Sequence, residues 1–265
     1  MFNIFRRLWQ VNWAEQWQYR ANLIMYLLYW LVSPIIYLAV WTSIASSKGS
    51  VNGMTVNDFT TYYLTLLIVD QITSNIVIHT FAYKIQDGSL SAELVRPIHP
   101  MLTNALVNNI AFKTLTIMGF IPIWIVLYFL YKPDFSSVTL ANILISIPAM
   151  LIGFFVGFLL SASISALAFW TTRVYSIHEF YYALMLLFSG QFVPLTLMPP
   201  VIQEIARYLP FQLLIYFPIE LILGNLTQAQ IVQGFVSGII WLAIAFLSFN
   251  AIWQNGIKRY SAVGA

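Results

Sequence analysis

The chain has 265 residues, of which 60% are hydrophobic and only 8% are charged, whereas about 25% of the residues of a soluble domain are charged. This composition excludes an ordinary soluble domain and predicts an integral membrane protein of the all-α class. Cysteine is absent, which excludes disulfides, thiolate metal sites and cysteine nucleophiles.

The first 20 residues predict an amphipathic helix at the membrane interface. Aromatic side chains recur every three or four positions, at Phe2, Phe5, Trp9, Trp13 and Trp17, and polar side chains take much of the rest. Tryptophan prefers the depth of the lipid headgroups. Two interpretations stay open, namely a plain membrane anchor and an elbow that braces the first span.

Six membrane spans follow, because windows with few or no charges recur at about the 20 residues that a spanning helix needs. They lie near residues 21–45, 59–80, 108–131, 140–170, 179–198 and 229–254. No hydrophilic stretch between them is long enough for a separate domain. Residues 1–265 are therefore predicted to form a single membrane domain.

The first two spans carry candidate residues of a substrate pathway. Aromatic residues recur at helical spacing along the first span, at Tyr26, Trp30, Tyr37 and Trp41. Such rings can stack on bulky amphipathic cargo, but lipid-facing or packing aromatics are the alternative. In the second span Asp70 and Asn75 belong to a polar turn, which favours either a water-filled cavity or a hydrogen bond between helices.

Residues 84–100, KIQDGSLSAELVRPIHP, are the least hydrophobic part of the chain. The letters DGSL predict the start of a short helix over residues 88–96, with Ser89 as its N-cap, and the following prolines end it. Its predicted apolar face consists of Leu90, Leu94 and Val95. A short charged helix with one apolar face suits docking against a soluble partner, although it can also lie on the membrane.

The fourth span carries a ridge of small residues at four-residue spacing. The ridge consists of Ala149, Gly153, Gly157, Ser161 and Ser165. Small residues let another helix approach closely. We leave open whether that helix belongs to the same subunit or to another one.

Residues 192–220, between the fifth and sixth spans, are rich in proline. These prolines are Pro194, Pro199, Pro200, Pro210 and Pro218. Prolines this dense cannot lie in one continuous helix, and the pieces between them are too short to span a membrane. We therefore predict a re-entrant hairpin of short helices on the outer side.

The distribution of lysine and arginine sets the orientation of the spans. With a cytoplasmic N-terminus, the inner segments hold nine of the 12 lysines and arginines, as the positive-inside rule requires. Both termini and the segment 84–100 are then cytoplasmic. Inner-face cations also meet anionic lipid headgroups, so the net charge of +3 gives no support to nucleic-acid binding.

The sequence lacks the patterns of a membrane enzyme. The three histidines have no metal-ligand spacing, and neither a phosphate-binding loop nor a nucleophile elbow occurs. We therefore expect no catalytic residue, metal or cofactor on this chain. An ATPase that drove it would be a separate subunit.

Four blocks of sequence together resemble a known family. They are YRANLIMYLLYWLVSPIIYLAVW, IQDGSLSAELVRPIHP, FWTTRV and FSGQFVPLTLMPPVIQEIARYLPFQLLIYFPIELILG. The blocks look like the permease subunits of type-2 ABC exporters, the ABC-2 family transporter proteins, over nearly the whole chain. The resemblance implies six spans, a coupling helix after the second span that docks into an ATPase, and a re-entrant hairpin before the sixth.

The resemblance also assigns residues to two sites. The coupling block is matched by Gly88, Leu90, Leu94, Arg96 and Pro97. Glu93, near the start of the predicted helix, is added to the predicted coupling residues. The hairpin block is matched by Gly190, Pro194, Pro199, Leu209, Pro210 and Pro218. Asp70 has no counterpart in the family pattern, so its role depends on its own position.

These inferences predict the permease subunit of an ATP-driven exporter in a bacterial cytoplasmic (inner) membrane. Its expected partners are two copies of an ABC ATPase that binds ATP and Mg²⁺, a second permease, identical or a sister subunit, and membrane lipids. The expected substrate is a lipid, glycan-lipid or drug-like molecule moved out of the cytoplasm or inner leaflet. The alternatives are an ion-coupled secondary transporter that uses Asp70 and a non-transporting membrane scaffold.

Overall fold

The computed structural model describes residues 2–260, without the side chains of Phe2, His79, Thr103 and Asn104. The predicted place of the Phe2 side chain on the first helix therefore lies outside the described residues. So do residue 1 and residues 261–265 of the predicted single domain.

The described chain is helical, apart from one isolated β-bridge between Val51 and Met54. The α-helices in chain order are α1 Phe2–Gln18, α2 Arg20–Lys48, α3 Val56–Thr73, α4 Val77–Gln86, α5 Ser91–Leu94, α6 Val107–Tyr131, α7 Leu140–Ala166, α8 Val174–Phe188, α9 Pro200–Tyr208, α10 Tyr216–Leu223 and α11 Gln228–Ile257. A π-helical turn, Met101–Leu106, leads directly into α6. Short 3-10 turns cover Leu167–Phe169, Leu195–Leu197 and Phe211–Leu213. The predicted all-α class is confirmed.

Threonine caps fix the start of three of these helices. Thr55, Thr139 and Thr227 precede α3, α7 and α11, and each side-chain oxygen accepts a hydrogen bond from the backbone three residues later. Such a cap satisfies one of the amide donors that a helix start leaves unpaired. These helices therefore begin where the sequence supplies a capping residue.

Four helices of the described chain are long and apolar enough to cross a membrane, judged by length and composition. They are α2, α6, α11, and α7 with the 3-10 turn that extends it to Phe169. Their bounds agree with the first, third, fourth and sixth predicted spans to within a few residues.

The second and fifth predicted spans are not single long helices. The second is divided into α3 and α4 at Ser74, whose φ of −62° and ψ of 164° are extended. The fifth predicted span corresponds to α8, which ends at Phe188, well before the predicted end at residue 198. The reason is that Gly190 turns the chain with a φ of +84°, a conformation that favours glycine.

Hydrogen bonds between distant segments define two ends of the helical bundle. At the first end, Gln16 donates to Asn108 over 3.2 Å and Gln86 donates to the carbonyl oxygen of Thr172 over 3.4 Å. At the second end, Thr61 donates to the carbonyl oxygen of Asp134 over 3.4 Å. The N-terminal helix and the segment 84–100 thus lie at the first end, opposite the turn between α6 and α7.

Helix α7 lies at the centre of the fold, against α3, α4, α10 and α11. A methyl group on Gly153 would lie 2.5 Å from the carbonyl oxygen of Leu213, and one on Gly157 would lie 3.2 Å from the side chain of Leu214. The small-residue ridge is therefore filled by the segment before α10 of the same chain. This geometry supports packing within one subunit.

Helix α1 folds back against α6. Trp13 packs on a cluster that contains Leu23, Phe112 and Leu115, and its ring stacks on that of Trp17 at 5.7 Å. Because α1 is fixed to both α6 and the start of α2, the geometry favours the elbow over a plain anchor.

Candidate functional site

The break between α3 and α4 is stabilised by a lysine from another helix. Lys113 of α6 donates from Nζ to the carbonyl oxygen of Gln71 over 2.7 Å and to Oγ of Ser74 over 3.1 Å. The last carbonyl groups of a helix have no partner within the helix, and a cation at this end also complements the helix dipole. Lys113 thus satisfies the interrupted end of α3.

A cavity of about 280 Å³ lies beside this break. Asp70 of α3 and Asn75 of the break contribute to one wall, and Tyr26 and Trp30 of α2 contribute to another. Helix α8 and the chain before α10 close the remaining sides. The structure therefore brings together four of the six residues that the sequence predicted for a substrate pathway.

The other two predicted pathway residues, Tyr37 and Trp41, lie toward the second end. The ring of Tyr37 meets Phe192 edge to face at 5.3 Å. Trp41 stacks on Phe59 at 5.6 Å and donates from Nε1 to the carbonyl oxygen of Phe192 over 3.1 Å. Both residues hold the chain after α8 in place, and neither is among the described residues that line the cavity.

A smaller pocket lies beside the same break and shares Tyr26, Trp30 and Asn75 with the cavity. It has a volume of about 10 Å³ and is lined by Gln71, Asn109 and Lys113, among others. Asn109 is only 1% exposed, and neither polar atom of its amide has a hydrogen-bond partner among the described residues. A space of this size holds about one water molecule, which would suit the unpaired amide.

The segment 84–100 is fixed to the bundle along its first half. Leu90 is fully buried among Phe81 and Ile85, and Glu93, 7% exposed, accepts from Lys84 Nζ over 2.6 Å. Three of the six predicted coupling residues, Gly88, Leu90 and Glu93, are therefore buried. Their burial shows that they shape the segment.

The segment is most exposed at residues 95–97. Val95 is 85% exposed, Arg96 and Pro97 are also exposed, and Leu94 is half-buried. The prediction that Val95 shares an apolar face with Leu90 is wrong, because the helix covers only Ser91–Leu94 and turns Val95 outward. Val95, Arg96 and Pro97 are called the coupling tip below.

The start of the segment is a turn centred on Asp87, not a helix capped by Ser89. Asp87 Oδ1 accepts from the backbone N of Ser89 over 2.9 Å and from its Oγ over 2.7 Å. These two bonds hold the pKa of the Asp87 carboxyl below its usual value. Gly88 follows with a φ of +83°, so the chain cannot continue as a helix from α4.

The C-terminal end of the described chain clamps this turn. The hydroxyl of Tyr260 donates to the carbonyl oxygen of Gly88 over 2.7 Å and accepts from the backbone N of Ser91 over 3.1 Å. Nearby, the ring of His99 lies 4.8 Å from that of Trp253, and burial lowers the pKa of its imidazole. Sequence reasoning missed Tyr260, because the contact joins residues 172 positions apart.

The predicted hairpin consists of short turns that begin at prolines. Pro194 and Pro210 precede 3-10 turns, Pro199 precedes α9, and Pro218 lies in the first turn of α10. Proline is tolerated at these positions because the first amides of a helix have no acceptor within it. Gly190 lies at the base of the hairpin, where Tyr62 donates to its carbonyl oxygen over 2.8 Å.

With this geometry known, a comparison with protein families identifies the chain. The model of the family described as ABC-2 family transporter protein matches residues 21–264. The chain belongs to this family. A comparison with curated proteins gave no match.

Membership of the ABC-2 family agrees with the helical membrane architecture. It indicates an integral membrane protein and the permease of an ABC transporter, and permeases of this family generally pair with an ABC ATPase. The match covers the broken span, the segment 84–100 and the hairpin. In this ABC-2 protein Lys113 donates to residues of the break, and Asn109 lines the small pocket beside it. Neither residue gave a signal in the sequence beyond being polar in an apolar helix.

Proposed function

We propose that this ABC-2 protein is the six-span permease subunit of an ATP-driven exporter. Helices α2, α6, α7 and α11 are four of its spans, the divided pair α3 and α4 is another, and α8 is the shortest. Two permeases, identical or sister subunits, pair with two ATPase subunits. The ATPases bind ATP and Mg²⁺ and hydrolyse the nucleotide, and the permease itself carries no catalytic residue.

The charge distribution supports a cytoplasmic location for the first end of the bundle. Arg6 and Arg7 of α1, Arg96 of the coupling tip and Lys258 and Arg259 after α11 belong to segments at this end. Lysine and arginine are enriched in the cytoplasmic segments that flank membrane spans. Both termini then lie in the cytoplasm of a bacterium, and the hairpin re-enters the membrane from the outside.

One observation carries the proposal: the coupling tip projects from a segment that is otherwise fixed to the bundle. An interface residue needs exposure in the free subunit, and Val95 is 85% exposed. The tip combines an apolar, a cationic and a rigid residue, a composition that suits a cleft on a soluble partner. Arginine in particular is enriched among the residues that dominate interface energy.

Helix α4 links the coupling tip to the cavity. Its C-terminal end holds Lys84, which is paired with Glu93, and its N-terminal end begins at the break beside Asp70. Because the backbone of Ser74 is extended, α4 is not continuous with α3, and in this proposal the break is the hinge between them. Closure of the ATPases on ATP binding pushes the tip, and α4 carries that motion to the cavity wall.

The substrate is a hydrophobic or amphipathic molecule that leaves the cytoplasm or the inner leaflet. Aromatic residues of α2 face the cavity beside polar groups of the break. Such a surface accepts an apolar body together with a polar group.

The test is recovery of an ATPase with the tagged permease from its native host. The subunit is identified by mass spectrometry through its ATP-binding cassette, and vanadate-sensitive hydrolysis is measured per mole of permease. Val95→Glu and Arg96→Glu are expected to lower the recovered hydrolysis at least about tenfold, the effect of losing roughly 1.4 kcal/mol at an interface. Lys48→Glu, an exposed cation at the second end, is the control and should leave recovery unchanged.

Two results would contradict the proposal. One is that no ATPase with an ATP-binding cassette is recovered with the unaltered protein. The other is that the tip variants and Lys48→Glu have the same effect, since the tip would then have no special contact.

The position of Asp70 in the cavity favours a second candidate, an ion-coupled secondary transporter. An acid inside a membrane domain is costly and is commonly retained for ion or proton movement. This candidate expects that Asp70→Asn abolishes transport, whereas ATP depletion with the ion gradient clamped does not. The exporter expects transport to stop on ATP depletion.

A further inference from the structure

The cavity beside the break is acidic. Asp70 of α3 and Glu179 of α8 both line it, and its described lining includes no lysine or arginine. Lys113 interacts electrostatically with Asp70, but its Nζ is bound to Gln71 and Ser74, and it lines the smaller pocket instead. His178 also lines the cavity, and its Nδ1 lies 3.9 Å from Oε1 of Glu179, whose side chain is 76% exposed. Asp70 is therefore the more enclosed acid, and a negative substrate would meet its carboxyl group.

Five aromatic side chains of α2 and α8 contribute to the lining of the cavity. Tyr26, Tyr29 and Trp30 of α2 and Tyr181 and Tyr182 of α8 line the same cavity. The face of an aromatic ring attracts a cation within about 6 Å, most strongly where water is excluded. Rings together with acids favour an organic cation over a neutral apolar molecule.

A buried acceptor in the same cavity also suits a positively charged donor. Gln191 lines the cavity and is 5% exposed, and its Oε1 has no hydrogen-bond partner among the described residues. A buried polar atom without a partner is costly. An ammonium group in the cavity would supply the missing donor.

We propose that this cavity binds an organic ammonium group attached to an apolar body. The ammonium lies near Asp70 and Gln191, and the apolar body lies against the rings of α2 and α8. This inference rests on the proposed function, because it specifies the substrate of the same pathway. The ammonium can belong to a soluble amphipathic amine or to the headgroup of a lipid.

The experiment uses the full chain in nanodiscs of phosphatidylglycerol, which has no ammonium group. Binding of 4-phenylbutylammonium is measured by saturation-transfer NMR and compared with that of 4-phenylbutanol and 4-phenylbutanoate, with empty nanodiscs as the blank. The three probes share one apolar body and differ in charge. The ammonium is expected to bind at least about tenfold more tightly than the alcohol, which corresponds to one desolvated cation contact.

Two substitutions test the place of the ammonium. Asp70→Asn keeps the size of the side chain and is expected to weaken ammonium binding about tenfold, whereas Glu204→Gln, outside the cavity lining, should leave it unchanged. Glu179→Gln should weaken it by a smaller factor. Since the side chain of Glu179 is 76% exposed, this variant keeps the test valid even where Asp70→Asn does not fold.

Adding phosphatidylethanolamine to the nanodiscs distinguishes the two sources of the ammonium group. If this lipid displaces the probe, the headgroup is a ligand, and if it does not, the ligand is a soluble amine; both results support an ammonium site. Equal binding of the three probes, or unchanged binding in both Asp70→Asn and Glu179→Gln, overturns the inference. If the ammonium inference is overturned but the tagged permease still recovers its ATPase, the exporter proposal stands and only the substrate class is wrong.

Discussion

The segment 84–100 and the hairpin, predicted over residues 192–220, leave the helical bundle in the same way but are anchored differently. Each turns at a glycine, Gly88 with a φ of +83° and Gly190 with a φ of +84°. The hairpin returns through a buried run, Leu213, Leu214 and Ile215, that packs on α7. The segment 84–100 is held by polar contacts together with the buried side chains of Ile85 and Leu90, and it exposes its tip.

Both regions bury apolar side chains, but the segment 84–100 buries fewer of them, and its anchoring includes an ion pair and a tyrosine clamp. The hairpin is held by close packing of several large apolar side chains, including Leu213 and Leu214 against α7. An ion pair and a tyrosine clamp stabilise the segment 84–100 less, and they leave the coupling tip available. The substitutions below should therefore affect the two regions unequally.

The largest effect is expected at the base of the hairpin. An alanine methyl at Gly190 would lie 2.7 Å from the Tyr62 hydroxyl and 3.0 Å from Cβ of Tyr216, in addition to the backbone strain of a positive φ. Gly190→Ala should lower the free energy of unfolding by about 3 kcal/mol, roughly 1–2 from strain and the rest from the lost Tyr62 hydrogen bond. Thermal unfolding in detergent, followed by tryptophan fluorescence, measures this.

Gly49→Ala is the matched control for the hairpin variant. Gly49 has a φ of +81°, and a methyl group there would meet no atom within 4 Å. The free energy of unfolding of this variant should fall only by the backbone strain, about 1–2 kcal/mol. Equal losses in the two variants would show that the hairpin base is not tightly packed.

The sequence predicted the long helices well, because their limits are marked locally. Helices α7 and α11 begin after capping threonines, Thr139 and Thr227, and their apolar length matches a span. The hairpin was also predictable, since its prolines each exclude a continuous helix. The early end of α8 could have been found from Gly190, which combines with Pro194 in a strong local turn signal.

The rest of the site depends on contacts between distant residues, which local patterns do not reveal. No glycine or proline marks the break at residues 74–76; Lys113, on another helix, satisfies the interrupted end of α3. The coupling helix was predicted too long because Asp87 binds the backbone of Ser89 in a turn. Periodicity likewise could not show that Glu93 points inward toward Lys84.

A loss of stability smaller than that of Gly190→Ala is expected when the ion pair of the segment 84–100 is broken. Lys84→Ala leaves the Glu93 carboxylate, whose side chain is 10% exposed, without its cation, and an uncompensated buried charge is strongly unfavourable. Because Lys84 itself is 29% exposed, we expect a loss of about 2 kcal/mol. Hydrogen exchange of the amides in residues 84–100 should accelerate, while the hairpin amides stay unchanged.

The exposed ion pair of the hairpin supplies the comparison. Glu204 and Arg207 lie 3.3 Å apart with both side chains 57% exposed, so Arg207→Ala should cost about 0–1 kcal/mol. The double variant Lys84→Glu with Glu93→Lys should recover part of the loss, since it restores opposite charges. A loss in Lys84→Ala no larger than that in Arg207→Ala would mean that the inner pair does not fix the segment.

The smallest effect is expected from the tyrosine clamp. Tyr260→Phe keeps the ring, which meets Phe169 at 5.8 Å, and removes only the hydroxyl that bonds Gly88 and Ser91. The loss should be about 1 kcal/mol, seen as faster exchange of the Ser91 amide with little change in global unfolding. Tyr83→Phe, at an exposed tyrosine of α4, is the control and should change neither.

The clamp variant also separates stability from transmission. If the segment 84–100 carries motion from the coupling tip to α4, loosening its turn should lower transport per ATP hydrolysed, although the recovered ATPase stays constant because the tip is unaltered. A fall in ATPase recovery equal to that of Arg96→Glu would instead place Tyr260 in the docking surface. Unchanged exchange at Ser91 would mean that the turn's own hydrogen bonds, such as that from the backbone N of Ser91 to the carbonyl oxygen of Gly88 over 3.2 Å, hold it without the clamp.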